Sequence, residues 1–361
     1  MISFLVYGLT FACTLCGANL SNKNFKNKGS KIFGALMIFV PLLLVAGLRA
    51  NTVGTDTQLV YYEYFYQRFG ASNDSIFATS EFCFALLAKI SYHLTHSYNG
   101  FLTIVGAFIA FFSTIGILKS SQDEKTIYSA LVFLTFVFFD SLNLVRQMCA
   151  VSMIFAALDL LKKDRPIHFL VVLVISCFFH NSALICALIF VFYLLSKKKN
   201  STLKALLLVI LGLLPFVLPF VFDILSNISY FEKYVKLYSN LNFDISISNI
   251  ALFIYNLPIY ILVLVNYKKI LKEDKFSYTL LLMCYMSAVC TLFKFSMVWL
   301  TRLTLYFSIS YAYLIPKCIK YSKDKNLLSV VVILYCIVYF IFYYCIRGNS
   351  NIYPYHFFFE G

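Results

Sequence analysis

Charged residues are scarce in this sequence: Asp, Glu, Lys and Arg make up only 13% of its 361 residues, whereas 61% are hydrophobic. This composition excludes a soluble globular protein. The sequence also lacks a glycine-rich nucleotide loop, so nucleotide hydrolysis has no support. It shows no internal repeat and no boundary between domains. We therefore treat residues 1–361 as a single integral membrane domain.

Long apolar runs fill much of the chain, among them residues 32–48, 101–118, 203–222, 278–293 and 327–346. Each is close to the roughly 20 residues that a helix needs to cross a bilayer. The opening run, residues 2–20, has neither a basic leader segment nor a typical cleavage site. We expect it to be a retained span rather than a signal peptide. The pattern predicts an all-α, polytopic membrane protein.

The net charge is +14, and its basic residues concentrate in five short connections: residues 23–31, 162–165, 197–204, 268–275 and 317–325. The positive-inside rule places these connections in the cytoplasm. This topology predicts about 12 transmembrane helices, with both termini and the connection of residues 223–248 outside. The count requires that residues 76–95 do not cross the membrane. That segment carries Glu81, Lys89 and two histidines, as is typical of an interfacial or re-entrant helix.

Metal, cofactor and nucleic-acid chemistry have little support in the sequence. His93 and His96 are three residues apart, but no third ligand follows at a matching spacing. The 11 cysteines lie almost entirely within apolar runs, where thiols behave as small hydrophobic groups. We expect no metal and no cofactor. The lysine-rich connections are expected to meet membrane lipids rather than nucleic acid.

Residues 48–69 interrupt the apolar runs with four charged side chains: Arg49, Asp56, Glu63 and Arg68. Charged side chains are costly at bilayer depth and usually face a cavity or a partner. The segment is therefore either an ordinary extramembrane loop or one wall of a polar site. The topology places it on the external face.

The same topology brings Arg49, Arg146, His180 and Arg302 to one depth, near the outer surface of the membrane. Each has an alternative interpretation by itself: an interfacial anchor for an arginine, a helix-end residue for His180. Three arginines together suit a diphosphate, because a guanidinium offers forked donors to phosphate oxygens. A nearby carboxylate or imidazole can accept a proton from an attacking hydroxyl. The set predicts metal-independent glycosyl transfer from a lipid-linked diphosphate sugar.

Four groups of residues follow one another in order: residues 49–57 with Tyr61 and Phe65, residues 81–82, residues 143–150, and residues 179–183. This ordered set resembles the EpsG family of Wzy-like polysaccharide polymerases. Arg302 with residues 306–307, and residues 353–355, are similar to weaker features near the end of that family.

The resemblance implies a polymerase of O-antigen, capsule or exopolysaccharide repeat units carried on undecaprenyl diphosphate. It implies a GT-C-like fold, action at the outer face of the bacterial cytoplasmic membrane, and a chain-length regulator protein among the partners. We assign catalytic roles to Asp56, His180 and Arg146, with either Asp56 or His180 as the base. Substrate binding is assigned to the other polar positions and the turn glycine: Arg49, Gly54, Thr55, Thr57, Tyr61, Glu81, Asn143, Gln147 and Arg302.

Two alternatives come from other classes of protein. A transporter of lipid-linked oligosaccharide would use the same arginines to escort a diphosphate, but its polar path would have to reach both leaflets. A membrane acyltransferase that modifies the glycan would need a histidine within reach of a cytoplasmic acyl donor. The topology puts His180 on the opposite side of the membrane.

Overall fold

The computed structural model describes residues 2–21, 28–72, 74–120, 125–198, 201–226, 247–295 and 298–360. In these ranges the regular elements are helices, and the extended pairing is limited to an antiparallel bridge between Arg49 and Phe357. The prediction of an all-α chain is confirmed. Most of the expected external connection, residues 223–248, lies outside the described residues. The chain divides into two compact units, Met1–Ala187 with Tyr311–Gly361, and Leu188–Ser310.

Most helices of the first unit precede residue 180. They are α1 (Ile2–Leu20), α2 (Lys28–Gly47), α3 (Phe82–Thr95), α4 (Tyr98–Ser120), α5 (Thr126–Phe136), α6 (Val145–Lys162) and α7 (Pro166–Phe179). A π-helical segment, Thr57–Ala71, separates α2 from α3. Short 3-10 helices at Ile76–Ala78, Phe138–Leu142 and Asn181–Cys186 connect other elements.

The second unit contains most of α8 (Ala187–Ser196), followed by α9 (Ser201–Ser226), α10 (Ile247–Leu271), α11 (Lys275–Leu292) and α12 (Thr304–Ser308). The chain then returns to the first unit with α13 (Tyr311–Tyr321) and α14 (Lys325–Phe340), which continues as a π-helical turn, Ile341–Ile346. A 3-10 turn, Asn349–Asn351, and a C-terminal tail follow. The expectation of one domain stays a prediction.

Six helical stretches in the described chain are long and apolar enough to cross a membrane: Ile2–Leu20, Lys28–Gly47, Tyr98–Ser120, Ile250–Leu271, Lys275–Leu292 and Lys325–Ile346. The protein is therefore a multi-pass helical membrane protein, and the count of about 12 spans stays a prediction.

Helix α3 is one of the shorter apolar helices. It begins beside the end of α7, where the tilted rings of Phe82 and Phe178 pack with centroids 4.5 Å apart, and it ends just before α4. The interpretation of residues 76–95 as non-spanning stays a prediction.

Local sequence signals account for several helix ends. Helix α7 has Pro166 at its first position, where the missing N–H costs no helical hydrogen bond. The carboxylate of Asp324 accepts a hydrogen bond of 2.9 Å from the backbone N–H of Leu327, and so caps the start of α14. Helix α3 ends at His96, whose backbone has the left-handed conformation common at helix ends.

Several polar segments of the first unit meet at one end of its helices. At this end the hydroxyl of Thr103, in the first turns of α4, donates to the carbonyl of Gly47 at 3.2 Å. The hydroxyl of Tyr7, in α1, donates to the carbonyl of Ile352 in the tail. The opposite ends of the helices carry lysines, namely Lys28, Lys125, Lys163 and Lys325. We name the end that contains Gly47 and Ile352 the polar end.

The C-terminal tail folds back along residues 48–54 at the polar end. The backbone N–H of Ala50 donates to the carbonyl of His356 at 2.8 Å, and that of Phe358 donates to the carbonyl of Leu48 at 3.0 Å. Farther along, the N–H of Gly54 donates to the carbonyl of Asn351 at 2.9 Å. The segment after α2 is therefore held between the helices and the last residues of the chain.

Helices α1 and α2 pack closely at two glycines, which yields a test of the fold. A Cβ at Gly17 would lie 2.6 Å from the carbonyl oxygen of Gly34, whereas a Cβ at Gly8, in the same helix, would meet nothing within 4 Å. We expect Gly17→Ala to destabilise the protein by about 1–3 kcal/mol through overpacking. Gly8→Ala gains helix propensity without a clash. Melting temperatures of the purified variants in detergent measure the difference, and equal values would contradict this helix packing.

Candidate active site

A cluster of three charged or titratable side chains forms where α3, α6 and α7 meet. One carboxylate oxygen of Glu81 accepts a hydrogen bond from Nη1 of Arg146 in an ion pair. The other lies 2.6 Å from Nδ1 of His180 and also accepts the backbone N–H of Asn181 at 3.2 Å. Glu81 thus joins two residues that are 65 and 99 positions away in sequence. We name Glu81, Arg146 and His180 the charged cluster.

The three members of the charged cluster differ in exposure. The side chain of Glu81 is only 6% exposed, whereas those of Arg146 and His180 are 24% and 23% exposed. Burial raises the pKa of Glu81, but the hydrogen bond to His180 and the charge of Arg146 outweigh this effect, and the pKa lies below its usual value. Glu81 is therefore an anion at neutral pH. Its two partners keep surface that a ligand can contact.

The ionised state of Glu81 fixes the hydrogen-bonding pattern of the imidazole. A carboxylate only accepts hydrogen bonds, so Nδ1 of His180 must carry the hydrogen that it shares with Glu81. In neutral His180, Nε2 is then the acceptor. The backbone helps to hold this arrangement, because α7 ends at Phe179 and His180 is extended, with φ −156° and ψ 120°.

Arg146 lies in the first turn of α6 and is supported by aromatic rings. Its guanidinium carbon is 4.8 Å from the ring centroid of Phe65 and 5.9 Å from that of Tyr61. Such contacts stabilise a cation while leaving its edge open to hydrogen bonds. Tyr61 is itself buried, and so is Gln147, the neighbour of Arg146. The predicted positions Tyr61 and Arg146 are thus in contact.

The turn that contains Gly54, Thr55, Asp56 and Thr57 packs on the start of α6. The side-chain oxygen of Asn143 accepts hydrogen bonds from the hydroxyl of Thr55 at 3.0 Å and from the backbone N–H of Asp56 at 2.9 Å. The hydroxyl of Thr57 donates to the carbonyl of Val53 at 2.9 Å. The turn therefore contacts Asn143, which precedes Arg146 by three residues in the sequence. These contacts also show that Asn143 and Thr57 bind backbone groups of the protein.

Arg49 lies in the interior of the first unit. It is 1% exposed, and its Nη1 donates to the carbonyl of Ala46. Its Nε and Nη2 have no hydrogen-bond partner in the described part of the chain. Arg49 also forms the antiparallel bridge with Phe357, so the C-terminal tail covers it. The expected contact of Arg49 with substrate stays a prediction, and in this structure the tail would have to move to allow it.

Arg302 belongs to the second unit, in the 3-10 helix Val298–Leu303. Its expected contact with the diphosphate stays a prediction. Asp56, the other candidate base, immediately precedes the π-helical segment and is partly exposed. Of the predicted site residues, Glu81, Arg146 and His180 are therefore in direct contact. Tyr61 packs against Arg146, and Asn143 is hydrogen-bonded to Thr55 and Asp56.

Sequence reasoning missed Asp140, a buried carboxylate in the 3-10 helix before α6. One of its oxygens accepts from the hydroxyl of Ser350 at 2.7 Å, and the other accepts from the hydroxyl of Tyr344 at 3.2 Å. These bonds join the start of α6 to the segments after α14. The sequence did contain one indication of a buried polar contact here, because Asp140 is an acidic residue within an apolar, aromatic run.

The helical fold and these contacts define a multi-pass membrane protein in which a carboxylate, a guanidinium and an imidazole are in contact. Within the described residues, no group of three or more His, Cys, Asp or Glu side chains is placed to hold a metal ion. The chain belongs to the EpsG family, whose family model matches residues 32–357. Membership supports a general role like that of polysaccharide polymerases. No curated protein and no solved structure matches the chain significantly.

Gly54 permits the turn to pack on α6, and this requirement can be tested. Its φ is +92°, and a Cβ there would lie 2.2 Å from the carbonyl oxygen of Leu142. Gly348 has a comparable φ of +65°, but a Cβ there would meet nothing within 4 Å. We expect Gly348→Ala to cost about 1–2 kcal/mol from backbone strain. Gly54→Ala should lower the melting temperature clearly more, and equal shifts would exclude the close approach as the reason for glycine.

Proposed function

We propose that the protein polymerises polysaccharide repeat units, transferring a growing glycan from undecaprenyl diphosphate to a lipid-linked repeat unit at the outer face of the cytoplasmic membrane. The observation that carries the proposal is the charged cluster, in which one buried carboxylate orients a partly exposed imidazole and a partly exposed guanidinium. Glycosyl transfer from a lipid diphosphate needs a proton acceptor for the attacking hydroxyl and a cation for the leaving group. His180 and Arg146 supply both.

His180 is the proposed base. Its Nε2 takes the proton of the acceptor hydroxyl while the hydroxyl oxygen bonds to the anomeric carbon of the donor sugar. The bond from that carbon to the diphosphate oxygen breaks, and undecaprenyl diphosphate leaves with the electron pair. Glu81 touches neither reactant in this scheme. It holds the imidazole in the required tautomer and stabilises the imidazolium that forms.

Arg146 is the proposed partner of the diphosphate. Glu81 occupies Nη1, and the ring of Phe65 covers one face of the guanidinium, so the remaining edge is the part that can meet phosphate oxygens. The start of α6 adds the partial positive charge of a helix N-terminus beside it. The developing charge of the leaving group is thus stabilised by protein groups, and we propose that the reaction needs no metal ion.

The proposed orientation rests on the lysines of the first unit. Lys28, Lys125, Lys163 and Lys325 lie at the helix ends opposite the charged cluster. Cytoplasmic connections are enriched in lysine, so the polar end would face the exterior. Lipid-linked repeat units exposed at that face would reach the cluster without crossing the membrane again.

Arg146→Ala tests the proposed diphosphate site. In a reconstituted assay with lipid-linked repeat units, we expect polymerisation to fall by about 100-fold or more, as for loss of a group that stabilises developing charge. Unextended lipid-linked repeat units should accumulate, and the long-chain ladder should disappear from gels of the product. Arg165→Ala, at an exposed position before α7, is the matched control and should polymerise normally.

Two outcomes of this assay would contradict the proposal. A normal ladder from Arg146→Ala at normal expression would remove Arg146 from the reaction. Loss of wild-type activity on addition of EDTA would contradict a metal-independent mechanism.

Glu81→Gln tests the orientation of the imidazole. Glutamine keeps the size of the side chain but replaces one acceptor oxygen by a donor, so the tautomer of His180 is no longer fixed. We expect kcat to fall by about 10²–10⁴-fold, the range for losing a general acid–base device, with a smaller change in KM. Glu63→Gln, an exposed carboxylate in the π-helical segment, is the control. An unchanged kcat in correctly folded Glu81→Gln would exclude this role.

A further inference from the structure

A cavity of about 820 Å³ opens at the polar end of the first unit, separate from the charged cluster. Three segments enclose it: residues 50–52 after α2, residues 97–99 at the start of α4, and residues 351–360 of the C-terminal tail. Backbone hydrogen bonds between the first and third segments hold the wall together. The side-chain amide Nδ2 of Asn351 also donates to the carbonyl of Thr52 at 3.4 Å. The volume falls in the range of roughly 300–1,000 Å³ that is usual for small-molecule sites.

The side chains that line the cavity are mostly neutral and polar or aromatic. Asn51, Thr52, Ser97, Asn99 and Asn351 supply amides and hydroxyls, and four aromatic residues complete much of the lining. Amides and hydroxyls can both donate and accept hydrogen bonds. Such a surface matches a ligand that carries many hydroxyl groups.

The charges around the cavity argue against a phosphate ligand. No lysine or arginine is among the described residues that line it, and its acidic member is Glu360. The carboxylate of Glu360 lies 3.7 Å from the imidazole of His356. A diphosphate binds where guanidinium or ammonium groups are at hand, as we propose for Arg146. A carboxylate in a neutral, polar lining favours an uncharged polyol instead.

The π-helical segment connects the cavity with the charged cluster. Tyr62 lines the cavity, whereas its neighbour Tyr61 contacts the guanidinium of Arg146. Tyr62 also packs against Tyr98, with ring centroids 4.9 Å apart, and Tyr98 is a second aromatic residue of the lining. The two sites therefore share one wall while differing in charge.

We propose that this cavity binds the neutral sugar part of a lipid-linked repeat unit, apart from the reacting bond. The identity of the sugar as a repeat unit rests on the proposed function, whereas the preference for an uncharged oligosaccharide rests on the lining alone. Binding energy from this remote part of the substrate would then hold the glycan near the charged cluster during successive transfers.

Binding of oligosaccharide tests the proposal directly. The probe is one repeat unit released from its carrier lipid by mild acid, titrated calorimetrically onto the wild-type protein in lipid nanodiscs. Replacing both Asn51 and Asn99 by alanine should raise Kd about tenfold, as expected for two lost neutral hydrogen bonds. Asn19→Ala, an exposed asparagine in α1, should leave Kd unchanged. Arg146→Ala should also bind the probe normally, because the probe lacks the diphosphate.

A second variant provides an independent test in case the double substitution impairs folding. Ser97→Trp adds bulk at an exposed turn position and should block the cavity while the melting temperature stays near that of the wild type. In the polymerisation assay, either cavity variant should raise KM for the lipid-linked repeat unit about tenfold, with kcat within about threefold of the wild-type value.

The outcomes separate this inference from the proposed function. Normal Kd in both cavity variants, or no binding by a wild-type protein that polymerises, overturns the cavity proposal and leaves the polymerase intact. Loss of binding in Arg146→Ala alone also overturns it, since the glycan would then sit at the charged cluster. Binding that depends on Asn51 and Asn99, in a protein that makes no polymer, supports the cavity while rejecting the polymerase.

Discussion

The carboxylate of Glu81 is the interaction on which the arrangement at the polar end depends. It is nearly buried, and its two oxygens hold Arg146 on α6 and His180 at the end of α7. Removing one member of a buried ion pair typically costs about 3–5 kcal/mol, because the remaining charge is left without compensation. Three helix ends that are distant in sequence are therefore fixed relative to one another by a single side chain. Rigid placement of this kind is what a proton acceptor and a cation need in order to act on one substrate.

The structure divides polar chemistry between two neighbouring regions of the first unit. The charged cluster contains one anion, one guanidinium and one imidazole, and so can respond to a phosphate or a proton. The cavity beside it has amides, hydroxyls and aromatic rings in its lining. A lipid-linked glycan has the same division, with a charged diphosphate at one end and neutral sugars beyond it. The correspondence links the two proposals through the chemistry of one molecule.

Much of the fold was predictable from the sequence, because apolar runs of suitable length can only be buried in lipid or protein. The same runs predicted that Arg146 and His180 lie at helix ends, and the lysine-rich connections predicted that these two ends lie on the same side of the protein. The pairing of Glu81 with both of them was not predictable. Contacts across 65 and 99 residues depend on how α3 lies against α6 and α7, and no local pattern records that packing.

The burial of Arg49 was also not predictable from the sequence. Its position at the end of an apolar run favours an exposed or interfacial arginine, yet the C-terminal tail covers it. The tail has no strong periodicity, and its backbone bonds to residues 48–54 depend on the completed bundle. Asp140 was missed for a related reason, since its partners Tyr344 and Ser350 are more than 200 residues away.

The course of the tail has a consequence for biosynthesis. Tyr7 bonds to Ile352 across 345 residues, and Asn351 bonds to Thr52 across 299. Translation proceeds from the N-terminus, so α1 and the segment after α2 enter the membrane long before their partners exist. These surfaces lack their partners until residues 351–358 have been synthesised. The wall of the cavity can therefore form only after α14 has been synthesised, and a chain that stopped before Asn351 would lack one of its three segments.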